Sequence, residues 1–173
     1  MRLNEYTFKF LLLVIAQILL WNFFNFSQYL TLTLLPAMIL TLPHNRSALY
    51  SMPLAFILGL CVDLLCGVPG LCSLALVPVA FVRRSVMGLI FGSEMFVRGE
   101  NLSFSKHSPG KIFLAETILT AIFLLIYIWV DGAGTRSLWF NLIKGGVSLL
   151  VSAPVSFFIV YILCSESQTS KWK

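Results

Sequence analysis

Ile112-Phe-Leu-Ala-Glu-Thr-Ile-Leu-Thr-Ala-Ile-Phe-Leu-Leu-Ile-Tyr-Ile-Trp-Val130 carries a single charged side chain, Glu116. As a helix at about 1.5 Å per residue, the run covers about 28 Å, close to the roughly 30 Å hydrocarbon core of a bilayer. Lipid cannot satisfy backbone N–H and C=O groups, so a crossing segment is either a helix or a strand of a closed barrel. The run has no period-two alternation, which selects the helix.

Working outward, five more apolar segments flank this one: Phe8–Phe26, Leu30–Leu42, Ala48–Leu65, Leu71–Val82 and Leu138–Cys164. In chain order, the first, third, fifth and sixth are long enough to cross. The second and fourth are short: a dozen helical residues reach only about 18 Å. The fourth must recruit Val68–Gly70 or Ser85–Phe91, or else tilt or thin the bilayer. Ser85–Phe91 also reads as an interfacial continuation of the fourth helix. Pro36, Pro78 and Pro154 lie within three of the segments and predict kinks rather than breaks, because neighbouring helices can re-satisfy the freed carbonyls.

Composition agrees. Of 173 residues, 58% are hydrophobic and 11% charged, too few charges to cover a water-facing surface. Mean hydropathy is +0.91. No linker divides the chain, so residues 1–173 read as a single transmembrane domain. The net charge of +5 would suit nucleic acid, but the basic residues fall in short gaps between apolar runs, the pattern of helix ends kept on the cytoplasmic side. Arg2 and Lys9 precede the run Phe10–Trp21 as in a signal peptide. No small-x-small pair follows in Asn22–Phe26, so this segment reads as a retained anchor.

With the N-terminus inside, the inner stretches hold Arg2, Lys9, Arg46, Arg83, Arg84, Arg98, Lys106, Lys111, Lys171 and Lys173, and the outer turns hold only Arg136. This asymmetry predicts an all-α, multi-pass membrane protein of six transmembrane helices, two of them short, with both termini inside. The longest connection, Gly92–Lys111, is then an inner loop.

A few polar residues stand out. Ser51, Ala55, Gly59, Asp63 and Gly67 recur every fourth residue and share one helix face. Small residues there let another backbone approach closely. Two readings of Asp63 stay open: a carboxylate ending a packing face, where it caps or pairs, or an interfacial residue beginning the turn through Gly67 and Gly70. Lys144, Ser148, Ser152 and Ser156 form a second stripe at the same spacing, with Gly145 and Gly146 beside it. Lys144 lies at the expected depth of Asp63 and either pairs with it or extends to the outer interface. Glu116 is either a proton-relay group or a residue reaching headgroup water. Cys61, Cys66, Cys72 and Cys164 have no CxxC spacing, and His44 and His107 fall in inner loops, so no metal site is expected. Cys66 and Cys72 flank an outer turn, where they form a disulfide or fill space as thiols. No nucleophile–base pair or phosphate loop appears, so no enzyme and no cofactor are expected.

The stretch Thr33-Leu-Leu-Pro-Ala-Met-Ile-Leu-Thr-Leu-Pro-His-Asn-Arg46 resembles the second helix and following turn of the MreD family, bacterial rod-shape-determining membrane proteins. Ala55-Phe-Ile-Leu-Gly-Leu-Cys-Val-Asp-Leu-Leu-Cys-Gly-Val-Pro-Gly70, then Leu74-Ala75 and the basic pair Arg83-Arg84, resembles that family's most recognisable motif. The likeness is strongest over residues 30–84. In one departure, Cys72 stands where many relatives carry a His, which would alter any partner contact made there.

The resemblance implies a non-catalytic, multi-pass component of the bacterial cytoplasmic (inner) membrane in the cell-elongation complex. Its implied partners are an MreC-like protein, the MreB cytoskeleton, a RodA-type glycosyltransferase and a penicillin-binding transpeptidase. The family is also similar in overall fold to the substrate-binding subunits of energy-coupling-factor vitamin transporters, which supplies an alternative by structural analogy alone. In the scaffold reading, Ser51, Ala55, Gly59, Asp63, Gly67 and Gly70 face a partner helix, as does the stripe Lys144, Gly145, Ser148, Ser152 and Ser156. Gly59→Leu is then expected to abolish complex formation without unfolding the protein. In the transporter reading, Asp63, Trp139, Asn141 and Lys144 line a cavity.

Overall fold

The computed structural model describes residues 2–23, 30–42, 48–67, 70–92, 108–132 and 136–169, with side chains described over 11–22, 30–42, 50–67, 70–92, 108–132 and 136–162. Arg46, Arg98, Lys106, Lys171, Lys173, His44 and His107 lie outside the described residues, as do the side chains of Arg2, Lys9 and Cys164.

The described residues form helices and no strand: α1 (Arg2–Phe23), α2 (Leu35–Thr41), α3 (Ala48–Cys66), α4 (Leu71–Phe91), α5 (Pro109–Asp131) and α6 (Leu138–Thr169). Consecutive helices from α3 to α6 pack against one another, and α1 packs against α2 and α3. Neighbours run antiparallel. The end of α3 meets the start of α4 through Asp63 and Cys72. The end of α5 meets the start of α6 through Asp131 and Lys144, and Phe113, early in α5, stacks edge-on against Phe157, late in α6.

The fourth segment is not short, because of the extensions open to it α4 takes Ser85–Phe91: it runs unbroken for 21 residues through Pro78 and the Arg83-Arg84 pair. A basic pair marks a membrane boundary only when its charges must reach water. Arg83 is buried inside the protein, where its guanidinium donates to backbone carbonyls, so the apolar helix continues past it. Gly92, at φ 83°, ends it, its N–H bonding to the Gly88 carbonyl at 3.0 Å. The prolines also divide. Pro78 and Pro154 lie inside helices, as does Pro53 in α3. Pro36 instead occupies the first turn of α2, where its missing N–H costs nothing.

α2 is only 7 residues long, and residues 30–34 before it are not helical. Leu35, Ala37, Met38, Ile39 and Leu40 are fully buried, and α2 packs against every other helix. It is the centre of the bundle. Residues 30–33 and Leu42 (ψ 145°) at about 3.3 Å each, with Leu34 (ψ −5°) and the 7 residues of α2 at about 1.5 Å each, together span about 28 Å. The short second segment therefore gains length by being half unwound.

α4, α5 and residues 138–162 of α6 are each long and apolar enough to cross a membrane, while α1 and α3 contribute shorter apolar stretches, 11–22 and 50–66. The outward surface is apolar: Leu64, Leu89, Leu125, Leu150 and Phe158 are exposed. Polar side chains are gathered inside, including Gln17, Asp63, Arg83, Glu116, Lys144, Ser148, Ser152 and Ser156. That inversion suits a chain whose solvent is lipid.

Candidate functional site

The interior polar groups are the candidate site, and each can be followed to its partner. At one end of the bundle, Asp63 accepts from the backbone N–H groups of Cys72 and Ser73, both at 2.9 Å, and from the Ser73 hydroxyl at 2.8 Å. These amides belong to the first turn of α4, whose N-cap is Gly70 at φ 81°. A helix start leaves four N–H groups unpaired, and an N-cap side chain usually takes one or two. Gly70 has no side chain to give, so Asp63 caps from the preceding helix. Gly67, at φ 71°, makes the reversal possible. Of the two open readings, Asp63 is the cap, and it is buried.

Gly59 lies one turn earlier on the same face. A Cβ there would sit 2.5 Å from the Ser73 Cα and 2.7 Å from the Ser73 nitrogen. Ser51 and Ala55 are buried on this stripe. The face is therefore the chain's own α3–α4 contact. Ser51, Ala55, Gly59 and Asp63 are turned inward and present nothing to a partner, and the expectation that Gly59→Leu would leave the fold intact is overturned. Gly67 and Gly70 are exposed at the turn.

The second stripe has a different role from the one expected. Ser148, Ser152 and Ser156 are fully buried, and their hydroxyls bond the backbone of the extended segment. The Thr31 N–H donates to Ser148 Oγ at 2.8 Å and the Thr33 N–H to Ser152 Oγ at 3.3 Å. Ser152 donates to the Thr31 carbonyl at 3.3 Å and Ser156 to the Thr33 carbonyl at 3.0 Å. Four helical residues rise about 6 Å and two extended residues about 6.6 Å. Serines at spacing four thus match alternate residues of an extended chain, and the helix stands in for a neighbouring strand. The other edge belongs to α1: Gln17 donates from Nε2 to the Leu32 carbonyl at 3.3 Å and accepts the Leu34 N–H on Oε1 at 2.6 Å. Non-helical backbone at membrane depth is tolerated where protein satisfies it in this way.

Lys144 continues the serine stripe but does not meet Asp63. Its Nζ lies 3.0 Å from Asp131 Oδ2, so the Asp63–Lys144 pair is corrected to Asp131–Lys144 across the α5–α6 ends. Gly145 sits beside Ile128, 3.7 Å from where its Cβ would be. Asn141 is buried with Oδ1 unpartnered, whereas Trp139 is exposed. Of the four residues expected to line a cavity, Asp63, Asn141 and Lys144 are buried and Trp139 is not.

At the other end of α2, Arg83 donates to the carbonyls of Leu40, at 3.2 Å, and Leu42. These are carbonyls that a helix C-terminus leaves unpaired. Thr41 Oγ1 takes the Met38 carbonyl at 3.0 Å. Glu116 is completely buried, so the reading that it reaches headgroup water is corrected. Its Oε1 accepts from Thr120 Oγ1 at 3.1 Å and its Oε2 has no partner. Cys66 and Cys72 carry free thiols, Cys72 buried, and Cys61 is exposed.

Gln17 and the capping role of Arg83 are not evident from the apolar runs. The unwound segment does leave a signal: Leu30-Thr31-Leu32-Thr33-Leu34 alternates with period two and carries β-branched residues at alternate positions. No family model, no curated protein and no solved structure matches this chain.

Proposed function

We propose that the chain is a non-catalytic scaffold of the bacterial inner membrane, similar to MreD, that helps maintain cell shape by coupling an MreC-like protein and MreB to peptidoglycan synthesis. One observation carries the reading. The residues on which the resemblance rests act as a unit: Gly59 admits the α4 backbone, Asp63 caps α4, and Gly67 and Gly70 turn the chain between them. In support, most of the interior polar groups are engaged in internal structure, as expected of a module that holds a shape. The proposed topology is six crossings with both termini inside. Residues 30–42 make the second, on their half-extended reach.

Partner contacts in this reading fall on the outward ridge of α3, where Phe56, Ile57, Leu60 and Leu64 are exposed, instead of on the Gly59 face. The test is purification in mild detergent from the native host, with co-eluting proteins identified by mass spectrometry. The expected partners are an MreC-like protein, a RodA-type glycosyltransferase and a penicillin-binding transpeptidase. An ATPase pair with a second transmembrane subunit, and no cell-wall protein, would replace this reading with the vitamin-transporter one.

A further inference from the structure

The side chains that hold the extended segment stop one step short of its Leu30 end. Gln17 bridges the Leu32 carbonyl and the Leu34 N–H, while Thr31 and Thr33 turn both of their backbone groups to the serines of α6. Successive residues of an extended chain alternate between its two edges, so the next pair on the α1 edge is the Leu30 carbonyl and the Leu32 N–H. Among the described residues no hydrogen bond reaches either group. Leu30, Thr31 and Leu32 are part-exposed, whereas Thr33 and Leu34 are buried. An open acceptor and an open donor thus stand side by side on one edge, and lipid satisfies neither.

Aromatic side chains of α1 and α5 stand at the same level. Gly145 of α6 lies beside Ile128, which sets Tyr127 level with the turn of α6 just before Ser148, and Ser148 holds Thr31. Trp21 meets Tyr127 edge-on, with ring centres 5.5 Å apart. Trp21 also lies one turn beyond Gln17 on the same face of α1, and that step rises about 6 Å, close to two extended residues. Trp21 therefore holds the position on α1 from which a side chain would serve the open pair as Gln17 serves the next. Its indole has an N–H but no acceptor, so it cannot answer the Leu32 N–H. Tyr127 is only 5% exposed, and its hydroxyl has no hydrogen bond among the described residues.

We propose that this corner is a binding site for a small neutral molecule with an N–H and a C=O on one edge, a primary carboxamide or a lactam. Gln17 is the precedent, a carboxamide that donates to one backbone carbonyl and accepts the N–H two residues on. The ligand does the same one step along, donating to the Leu30 carbonyl and accepting the Leu32 N–H, with its flat body against the Trp21 indole. A carboxylate does not fit, because it has no proton to give the Leu30 carbonyl. The site goes beyond the scaffold reading and does not depend on it.

The test uses the full chain in lipid bicelles with nitrogen-15 leucine, the Leu32 amide signal being the one lost in Leu32→Ile. The probe is nicotinamide. It is expected to slow exchange of the Leu32 N–H several-fold and saturably, and nicotinate, the same ring with a carboxylate, is expected to leave it unchanged. Trp21→Gln supplies a carboxamide from α1 itself: Leu32 exchange is expected to slow several-fold without any probe, and the response to nicotinamide to disappear. Leu32 exchange that nicotinamide leaves unchanged, or slows no more than nicotinate does, would overturn the proposal. So would a folded Trp21→Gln protein that exchanges at the wild-type rate. Should that variant fail to accumulate, the two probes on the wild type decide alone.

Discussion

Ser152→Ala tests whether the serine stripe is a stripe of small residues or a set of hydrogen-bonding arms. Alanine is smaller still and a better helix former by about 0.5 kcal/mol, so a pure packing role predicts a neutral or slightly stabilising change. The geometry predicts otherwise. Ser152 serves two backbone groups of the extended segment, accepting the Thr33 N–H and donating to the Thr31 carbonyl, both at 3.3 Å. Its removal orphans both at a buried site. Each unpaired buried group costs about 1–3 kcal/mol, and bonds of this length sit toward the weaker end, so the net loss is about 2–4 kcal/mol. Ser148→Ala and Ser156→Ala each orphan one group and should cost about half as much. The measurement is reversible unfolding in mixed micelles, followed by tryptophan fluorescence, with lipid-facing Leu150→Ala as the control. A loss for Ser152→Ala no larger than for Ser148→Ala and Ser156→Ala, or a gain in stability, would refute the strand-mimic account.

Three other substitutions probe the remaining contacts. Gly59→Ala drives a Cβ into the α4 backbone and is expected to destabilise by about 1–3 kcal/mol, while Gly59→Leu should fail to accumulate as folded protein, as seen by size exclusion in detergent. Asp63→Asn loses charge and turns an N–H toward an N–H donor; a loss of about 2–4 kcal/mol is expected, with faster amide exchange confined to the first turn of α4. Asp131→Asn leaves Lys144, only 9% exposed at its side chain, without its counter-charge, and should cost about 1–3 kcal/mol; a double-mutant cycle with Lys144→Met isolates the pair, and a coupling near zero would show that it contributes nothing.

The helical class was legible from the apolar runs because lipid leaves so few options for a backbone. The location of the polar residues was legible too, since Asp63, Lys144 and the serines are conspicuous in such runs. Their partners were not. Period-four spacing fixes a shared face but not what the face meets, so a serine ladder serving an extended chain reads the same as a small-residue helix contact. Asp63 and Lys144 were matched by depth alone, whereas each found a nearer partner: the N-terminus of α4 for one, Asp131 for the other. The apolar run of segment four stops at Val82 because the pair Arg83-Arg84 follows, and the sequence leaves open whether the helix goes on through Ser85–Phe91. Only the tertiary position of α2, with carbonyls to offer, lets Arg83 stay inside. Gln17 escaped notice because one amide in an apolar helix has no periodic companion.

The half-unwound segment also bears on the order in which the protein can be made. Thr31 is separated from Ser148 by 117 residues, so the hydroxyls that satisfy its backbone are synthesised long after it. Until α6 arrives, residues 30–34 cannot enter hydrocarbon in their final conformation. They must wait as a helix, beside water, or within the insertion machinery. The last helix therefore closes the molecule around a segment near its beginning, and a chain truncated before Ser148 should leave that segment open to digestion or chaperone capture even with α1 in place.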